Sequence, residues 1–169
     1  MNKKIVIIGS EGKVGNFFKK YLSKKNKIYS IDNLNKKQKN YFKCDITKEI
    51  EVQNLIKYFF KKKIKIDCVI NFAHYKGPVN LTPGAKFFND ITNYPIDEWE
   101  KTLKVNLTGL FLITKYFSKI FIKQGYGNFI FTSSTYGLQS PNPSIYGDSG
   151  INSPIGYATT KSPIINFTK

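Results

Sequence analysis

The stretch from Lys3 to Leu22 constrains the fold of this chain more than any other. Lys3 to Ile8 is a short β-branched run that stops at Gly9-Ser10-Glu11-Gly12-Lys13-Val14-Gly15, after which Phe17, Phe18, Tyr21 and Leu22 recur at helical spacing. That order is strand, glycine turn, helix. Glycines at 9, 12 and 15 let the backbone approach a bound anion and let the helix pack closely on the strand. The helix N-terminus adds N–H groups and the positive end of its dipole. A plain strand-to-helix turn has the same outline, so the rest of the chain must decide between them.

The remainder repeats the alternation of strand and helix. Lys27 to Ile31 is a second strand ending at Asp32, about twenty residues beyond the glycines, where a carboxylate can bond the hydroxyls of an adenosine ribose. The same charge repels a 2′-phosphate, so NAD is expected over NADP; the alternative is that Asp32 only starts a turn. Tyr41 to Lys43 predicts a third short strand, closing on Cys44-Asp45-Ile46-Thr47. Thr47 is expected to cap a helix from Lys48 to Lys61 whose apolar face is Ile50, Val52, Leu55, Ile56, Phe59 and Phe60. Asp67 to Phe72 is a near-continuous apolar strand, as when both faces are covered, and it leads into Asn71-Phe72-Ala73-His74. A loop from Tyr75 to Pro95 follows. Asp97 then opens a long helix to Gln124, with Asn106 as a polar amide among apolar residues, either a bonded structural group or a site residue. Gly127 to Ser134 is the fifth predicted strand, ending in hydroxyls. A Pro/Gly/Ser-rich loop from Thr135 to Ser153 precedes Pro154 and a helix carrying Tyr157 and Lys161.

A tyrosine and a lysine four residues apart share a helix face. An ammonium near a phenol favours the phenolate, and such a tyrosine can exchange protons with a carbonyl or alcohol. Spacing alone is weak: the pattern occurs at Tyr21/Lys25, Tyr58/Lys62 and Tyr157/Lys161. Only the last follows a glycine turn, an acid-ended strand and a hydroxyl-ended strand.

The net charge of +16 comes entirely from lysine. Without arginine there is no guanidinium fork to read a base or clamp a phosphate, and the lysines are spread along the chain, so nucleic acid is not an expected partner. Cys44 and Cys68 lack metal or redox spacing and are expected as small buried hydrophobes in a reducing cytoplasm. His74, the sole histidine, cannot form a metal site with its neighbours. No run predicts a signal peptide or a membrane span, which leaves the sequons at Asn80 and Asn106 without weight.

Taken in order, the glycine turn, Asp32, Cys44-Asp45-Ile46, Asn71-Phe72-Ala73, Val105-Asn106-Leu107-Thr108-Gly109, Ser133-Ser134 and Tyr157-x-x-x-Lys161 resemble the short-chain dehydrogenase/reductase family over the whole chain. The resemblance implies an α/β fold, a doubly wound parallel (Rossmann) sheet in strand order 3-2-1-4-5 with helices on both faces. It implies an NAD-dependent oxidoreductase moving a hydride between nicotinamide and a hydroxyl or keto carbon of a small, sugar-like metabolite. Tyr157 becomes the acid/base, Lys161 the ammonium that favours its phenolate and anchors a ribose, Ser134 the hydroxyl that orients the substrate oxygen, and Asn106 the support of a proton-relay water. Gly9, Glu11, Gly12, Lys13, Val14, Gly15 and Asp32 would hold the dinucleotide, Asp45 and Ile46 would meet the adenine, and Asn71, Phe72 and Ala73 the nicotinamide-side ribose. A complete chain is expected to form a homodimer or homotetramer.

Departures from the family pattern keep other readings open. The glycine spacing and the long interval from Ser134 to Tyr157 resemble the extended branch, which allows an epimerase or dehydratase with transiently used NAD. His74 stands where the single-domain branch carries glycine. The loops at 75–95 and 141–153 are similar to those of surface-sugar and flagellin-modification dehydrogenases. The family's last two strands are absent, so residues 1–169 are expected to be one dinucleotide-binding domain lacking its C-terminal part, with Lys169 inside the last helix. A binding module without turnover is the third reading.

Overall fold

The computed structural model of the chain describes residues 2–78 and 82–169. Residues 79–81, which include the Asn80 sequon and part of the expected loop, lie outside them. The chain divides into two compact units, one of residues 1–73 and 108–131, the other of 74–107 and 132–169.

The first unit is built on five parallel strands in the order β3-β2-β1-β4-β5. These are β1 (Lys4–Ile8), β2 (Lys27–Asp32), β3 (Tyr41–Lys43), β4 (Cys68–Asn71) and β5 (Phe129–Phe131). Register aligns their C-terminal ends: Ile8 lies beside Ile31 and Asn71, Asp32 beside Lys43, and Asn71 beside Phe131. Gly9, Asp32, Cys44-Asp45 and Phe72 therefore leave the sheet along one edge, the edge where parallel sheets place their ligands.

Helices α2 (Glu49–Lys61) and α4 (Leu110–Gln124) cover one face. Val52, Leu55, Ile56 and Phe59 of α2 and Ile113, Phe117 and Ile120 of α4 pack on Val6, Ile8, Ile31 and Val69. The Phe59 and Phe117 rings lie 5.8 Å apart, and burying each such side chain contributes about 1.5–3 kcal/mol. The other face holds Ile5, Ile7 and Ile70 with Leu22 and Phe72. On that side runs α1 (Lys13–Leu22). Its apolar residues do recur at helical spacing, but Phe17 and Tyr21 stack on each other and stay 63% and 61% exposed. Only Phe18 reaches an inner ring, stacking on Phe72 at 5.1 Å.

Several boundaries differ from the sequence reading for identifiable reasons. Thr47 does not cap α2: its N–H and hydroxyl both donate to Asp45 Oδ1, at 3.0 and 2.8 Å, and Lys48 takes the cap position without a side-chain bond. Ile50 is exposed, since it falls in the first turn of α2 off the Val52/Leu55/Ile56/Phe59 stripe. β5 is three residues long and ends before the hydroxyls. The helix from Ile96 to Gln124 is long and apolar enough, by length and composition, to cross a membrane, contrary to expectation. Its stripe of Leu112, Ile113, Tyr116, Phe117 and Ile120 is instead buried in the first unit's core, as in a core helix.

The second unit contains α3 (Ile96–Leu103), most of a π-helical turn from Lys104 to Gly109, and α5 (Ile155–Phe167). The π turn was not legible in the sequence, and it carries Asn106. α3 and α5 approach closely: a Cβ on Gly156 would lie 3.2 Å from the Thr102 side chain. α5 ends at Phe167 instead of running through Lys169, and it accommodates Pro163, which withdraws an N–H from the carbonyl of exposed Thr159.

Candidate functional site

The glycine turn is a cradle made by backbone packing. Gly9 has φ +72°, and a Cβ there would lie 2.5 Å from the Ala73 nitrogen; a Cβ on Gly15 would overlap the Gly9 carbonyl. Both positions are therefore closed to any side chain. Gly12 differs: a Cβ would meet only Gly9 O at 3.5 Å, and the residue is exposed. Packing within the chain does not require glycine there, whereas close approach of a ligand backbone or phosphate would. Gly12 is also the N-cap of α1, with no side-chain cap and no acid in the first turn, so the helix end presents uncompensated positive dipole. Lys13 and Val14 open that helix and are exposed. These features fit a pyrophosphate.

Asp32 stands beside the glycine turn at the end of β2. Its Oδ2 accepts the Glu11 N–H at 2.9 Å and its Oδ1 the Leu34 N–H at 3.4 Å, so the carboxylate is held against the turn. The Glu11 carboxylate, 4% exposed, binds the ammonium groups of Lys19 and Lys36, the latter at 2.6 Å. Burial raises the pKa of Glu11, but hydrogen bonds from Lys19 and Lys36, the charge of Lys19 and the Ser10 hydroxyl outweigh it and hold the carboxyl below its ordinary value. Tyr41, whose hydroxyl donates to Leu34 O at 2.6 Å, is pushed up to about 12 by burial and by the charges of Asp32 and Glu11.

Further along the same edge, Asp45 receives Thr47 and donates its N–H to Glu51 Oε2 at 2.7 Å. Ile46 has its side chain in the core, so only its backbone can meet a base. Asn71 is buried at the end of β4 with Oδ1 accepting the Ala73 N–H at 3.1 Å, which shapes the Asn71-Phe72-Ala73 turn against Gly9.

In the second unit α5 brings Tyr157 and Lys161 onto one face. The Lys161 Nζ lies 5.5 Å from the Tyr157 ring centroid and donates to the Thr132 carbonyl at 2.7 Å. Lys161 is 3% exposed, and burial pushes its pKa down to about 8. Ser133, not Ser134, ties this segment to the helix, its hydroxyl donating to Lys161 O at 2.9 Å. Both bonds lie within the second unit, between residues 132–133 and α5. Ser134 caps the next turn, its Oγ accepting from the Tyr136 N–H at 3.3 Å. The His74 and Tyr157 rings are 6.0 Å apart.

Asn106, 4% exposed, makes three hydrogen bonds within the second unit. Its Oδ1 accepts the Tyr75 N–H at 2.6 Å, and its Nδ2 donates to Tyr75 O and Thr160 Oγ1, both at 2.9 Å. With both amide hydrogens taken, a water could reach the side chain only through the second lone pair of Oδ1. Tyr75 donates its hydroxyl to Glu98 at 2.6 Å, and burial together with Glu98 pushes its pKa well up, so it stays protonated. Residues that sequence reasoning missed are Ser133, Thr160, Tyr75 and the lysine pair on Glu11. Their roles rest on contacts between distant segments, and only Ser133, adjacent to Ser134, carried a local signal. Cys44, pushed up to about 12 by burial and nearby Glu51 and Asp45, is an inert core thiol.

Residues 20–169 match the family model for short chain dehydrogenases. The chain belongs to that family. The glycine turn precedes the matched segment, so its assignment stands on the geometry above. The post-translational flagellin modification protein A of Campylobacter coli is 27% identical over 172 residues, covering 96% of this chain and 67% of its own. A probable NADP-dependent mannitol dehydrogenase of Yarrowia lipolytica is 36% identical over 96 residues, 57% of this chain and 32% of its own. Among solved structures, a short chain dehydrogenase from Leptospira borgpetersenii with bound NAD+ superposes with a TM-score of 0.81 at 25% identity, covering 99% of this chain and 63% of that one. An NAD+-bound xylitol dehydrogenase shares the fold, with a TM-score of 0.78 at 24% identity over 98% of this chain and 62% of that one. The chain thus spans less than two thirds of these structures and about a third of the yeast relative.

Proposed function

We propose that the chain carries the dinucleotide-binding and proton-transfer parts of an oxidoreductase acting on a hydroxyl or keto carbon of a small, sugar-like metabolite, with NAD preferred. The observation that carries this reading is the buried Lys161 ammonium 5.5 Å from the Tyr157 ring, on a helix held to Thr132 and Ser133. Bound nicotinamide would supply the hydride acceptor or donor. Tyr157 exchanges the proton of the substrate oxygen, Lys161 sets its ammonium beside the phenol ring, and Ser134 orients the oxygen by hydrogen bonding. Asn106 acts as the clasp that holds Tyr75 and Thr160 near that group, and it supports a relay water through its remaining lone pair. Gly9, Gly12 and Gly15 give the pyrophosphate its place, Lys13 and Val14 offer helix N-terminal N–H groups, and Asp32 takes the adenosine ribose. Asp45 and the Ile46 backbone serve the adenine, and Asn71 to Ala73 the second ribose.

A polyol or sugar-like substrate is supported by the name of one relative, a mannitol dehydrogenase. NAD is supported by the strand-end acid and by the nucleotide in the Leptospira structure. The test is purified protein with NAD and a panel of polyols, aldoses and sugar nucleotides, following both NADH and product. Net NADH formation is the expected result. Product without net cofactor change would replace this reading with epimerase or dehydratase chemistry, and NAD binding with no conversion of any kind would leave a binding module.

A further inference from the structure

Glu11 is the only acid in the glycine turn, and it is bonded in two directions at once. Its backbone N–H donates to Asp32 Oδ2 at 2.9 Å. Its side chain, 4% exposed, receives the Lys36 ammonium at 2.6 Å on Oε2, and on Oε1 the Lys19 ammonium and the Ser10 hydroxyl, the latter at 3.1 Å. A carboxylate this deeply placed is costly unless paired, and two lysines pair it. Lys36 comes from the segment after β2, beyond Asp32, and Lys19 from the second turn of α1. With Asp32 and Glu11 each contributing one negative charge and Lys19 and Lys36 one positive charge each, the formal charges of these four groups cancel. Both cations in the set are already committed.

We propose that Glu11 is a specificity-determining residue: it holds Lys19 and Lys36 on the glycine turn, so that neither is free to meet a phosphate on the adenosine ribose, and rejection of a 2′-phosphorylated dinucleotide comes from Glu11 as well as Asp32. The inference rests on the dinucleotide reading of the cradle and deepens it. A phosphate monoester carries a charge of about −1.5 to −2. Beside Asp32 it meets repulsion, and two free ammonium groups would offset that repulsion. Glu11 removes them. Specificity here is a difference of affinities set partly by an element that withholds attraction from the wrong ligand.

Glu11→Gln tests this directly, because it keeps the side-chain size and the backbone bond to Asp32 while deleting the charge. NAD and NADP are titrated separately, without substrate, into wild type, Glu11→Gln, Lys36→Met and the double variant, at low and at physiological salt. Glu11→Gln is expected to raise the affinity for NADP relative to NAD about tenfold, an increase that salt diminishes. Lys36→Met in the Glu11→Gln background is expected to remove much of the gain, and alone it unmasks the Glu11 charge and lowers NADP affinity further. A Glu11→Gln protein that melts like wild type with an unchanged ratio overturns the proposal. Should Glu11→Gln fail to fold, Glu11→Ala takes its place, and a folded Glu11→Ala protein with the wild-type ratio contradicts the proposal. Wild type that binds neither nucleotide would sink the dinucleotide reading itself, a failure distinct from an unchanged ratio.

Discussion

The cradle in the first unit and the α5 cluster in the second are held together by different means. In the cradle, the shape is made by backbone against backbone: Gly9 against Ala73, Gly15 against the Gly9 carbonyl, and strand ends in register. In the α5 cluster, side chains do the holding, with Lys161 on Thr132, Ser133 on the Lys161 carbonyl, and Asn106 on Tyr75 and Thr160. A backbone-built site tolerates changes of charge but not of volume. A side-chain-built site tolerates neither the loss of a polar atom nor its isolation in the interior.

Substitutions that exploit this difference should separate the two. The largest stability effect is expected for Gly9→Ala, which combines positive φ with backbone overlap, at a cost of about 2–5 kcal/mol; chemical denaturation would measure it, and a cost under 1 kcal/mol would show that the turn can shift. Asn106→Ala comes next. It leaves the Tyr75 N–H and C=O and the Thr160 hydroxyl without their amide partner, for a loss of about 2–3 kcal/mol. A near-neutral result there would mean that Asn106 is not the clasp of its unit.

Gly12→Val sharpens the contrast within the cradle itself. Nothing in the chain crowds that position, so the fold should lose less than about 1 kcal/mol, while dinucleotide affinity falls at least about tenfold. Calorimetry of both quantities on one sample would check it. The pH dependence of Lys161 tests the second unit in a separate way. Burial lowers its folded pKa to about 8, whereas an unfolded lysine titrates near 10.4. Between those values the unfolded chain binds more protons, so this group makes stability rise as pH increases from about 8 toward 10.4. Lys161→Met should flatten that rise in a series of denaturation midpoints, and a wild-type protein with no rise to flatten would contradict the buried-ammonium assignment.

The same division explains what could be read from the amino-acid order. Strand, glycine turn, helix and Asp32 are local patterns, and β1, α1, β2 and β3 emerged from them, whereas the strand order came from the resemblance to the family. Tyr157 and Lys161 were legible because one helix carries both. Asn106 was visible as a polar anomaly, but its bonds to Tyr75 and Thr160, 31 and 54 residues away, were not. The π turn around it has no compositional mark. Thr47 was misjudged as a cap because it joins a turn with Asp45 and the helix opens one residue later, with Lys48 at the cap position. The β5 boundary was overextended because the β-favouring run continues past Phe131, while pairing with β4 covers only Phe129 to Phe131.

The central claim is that α5 supplies proton transfer while the glycine cradle supplies binding. Tyr157→Phe, saturated with NAD and given a substrate that the wild type oxidises, tests it most directly through the rate of NADH formation in a single turnover. NAD affinity is expected within about twofold of wild type, and the rate lower by about 10²–10⁴-fold. A Tyr157→Phe protein that binds NAD normally and forms NADH within about tenfold of the wild-type rate would contradict it.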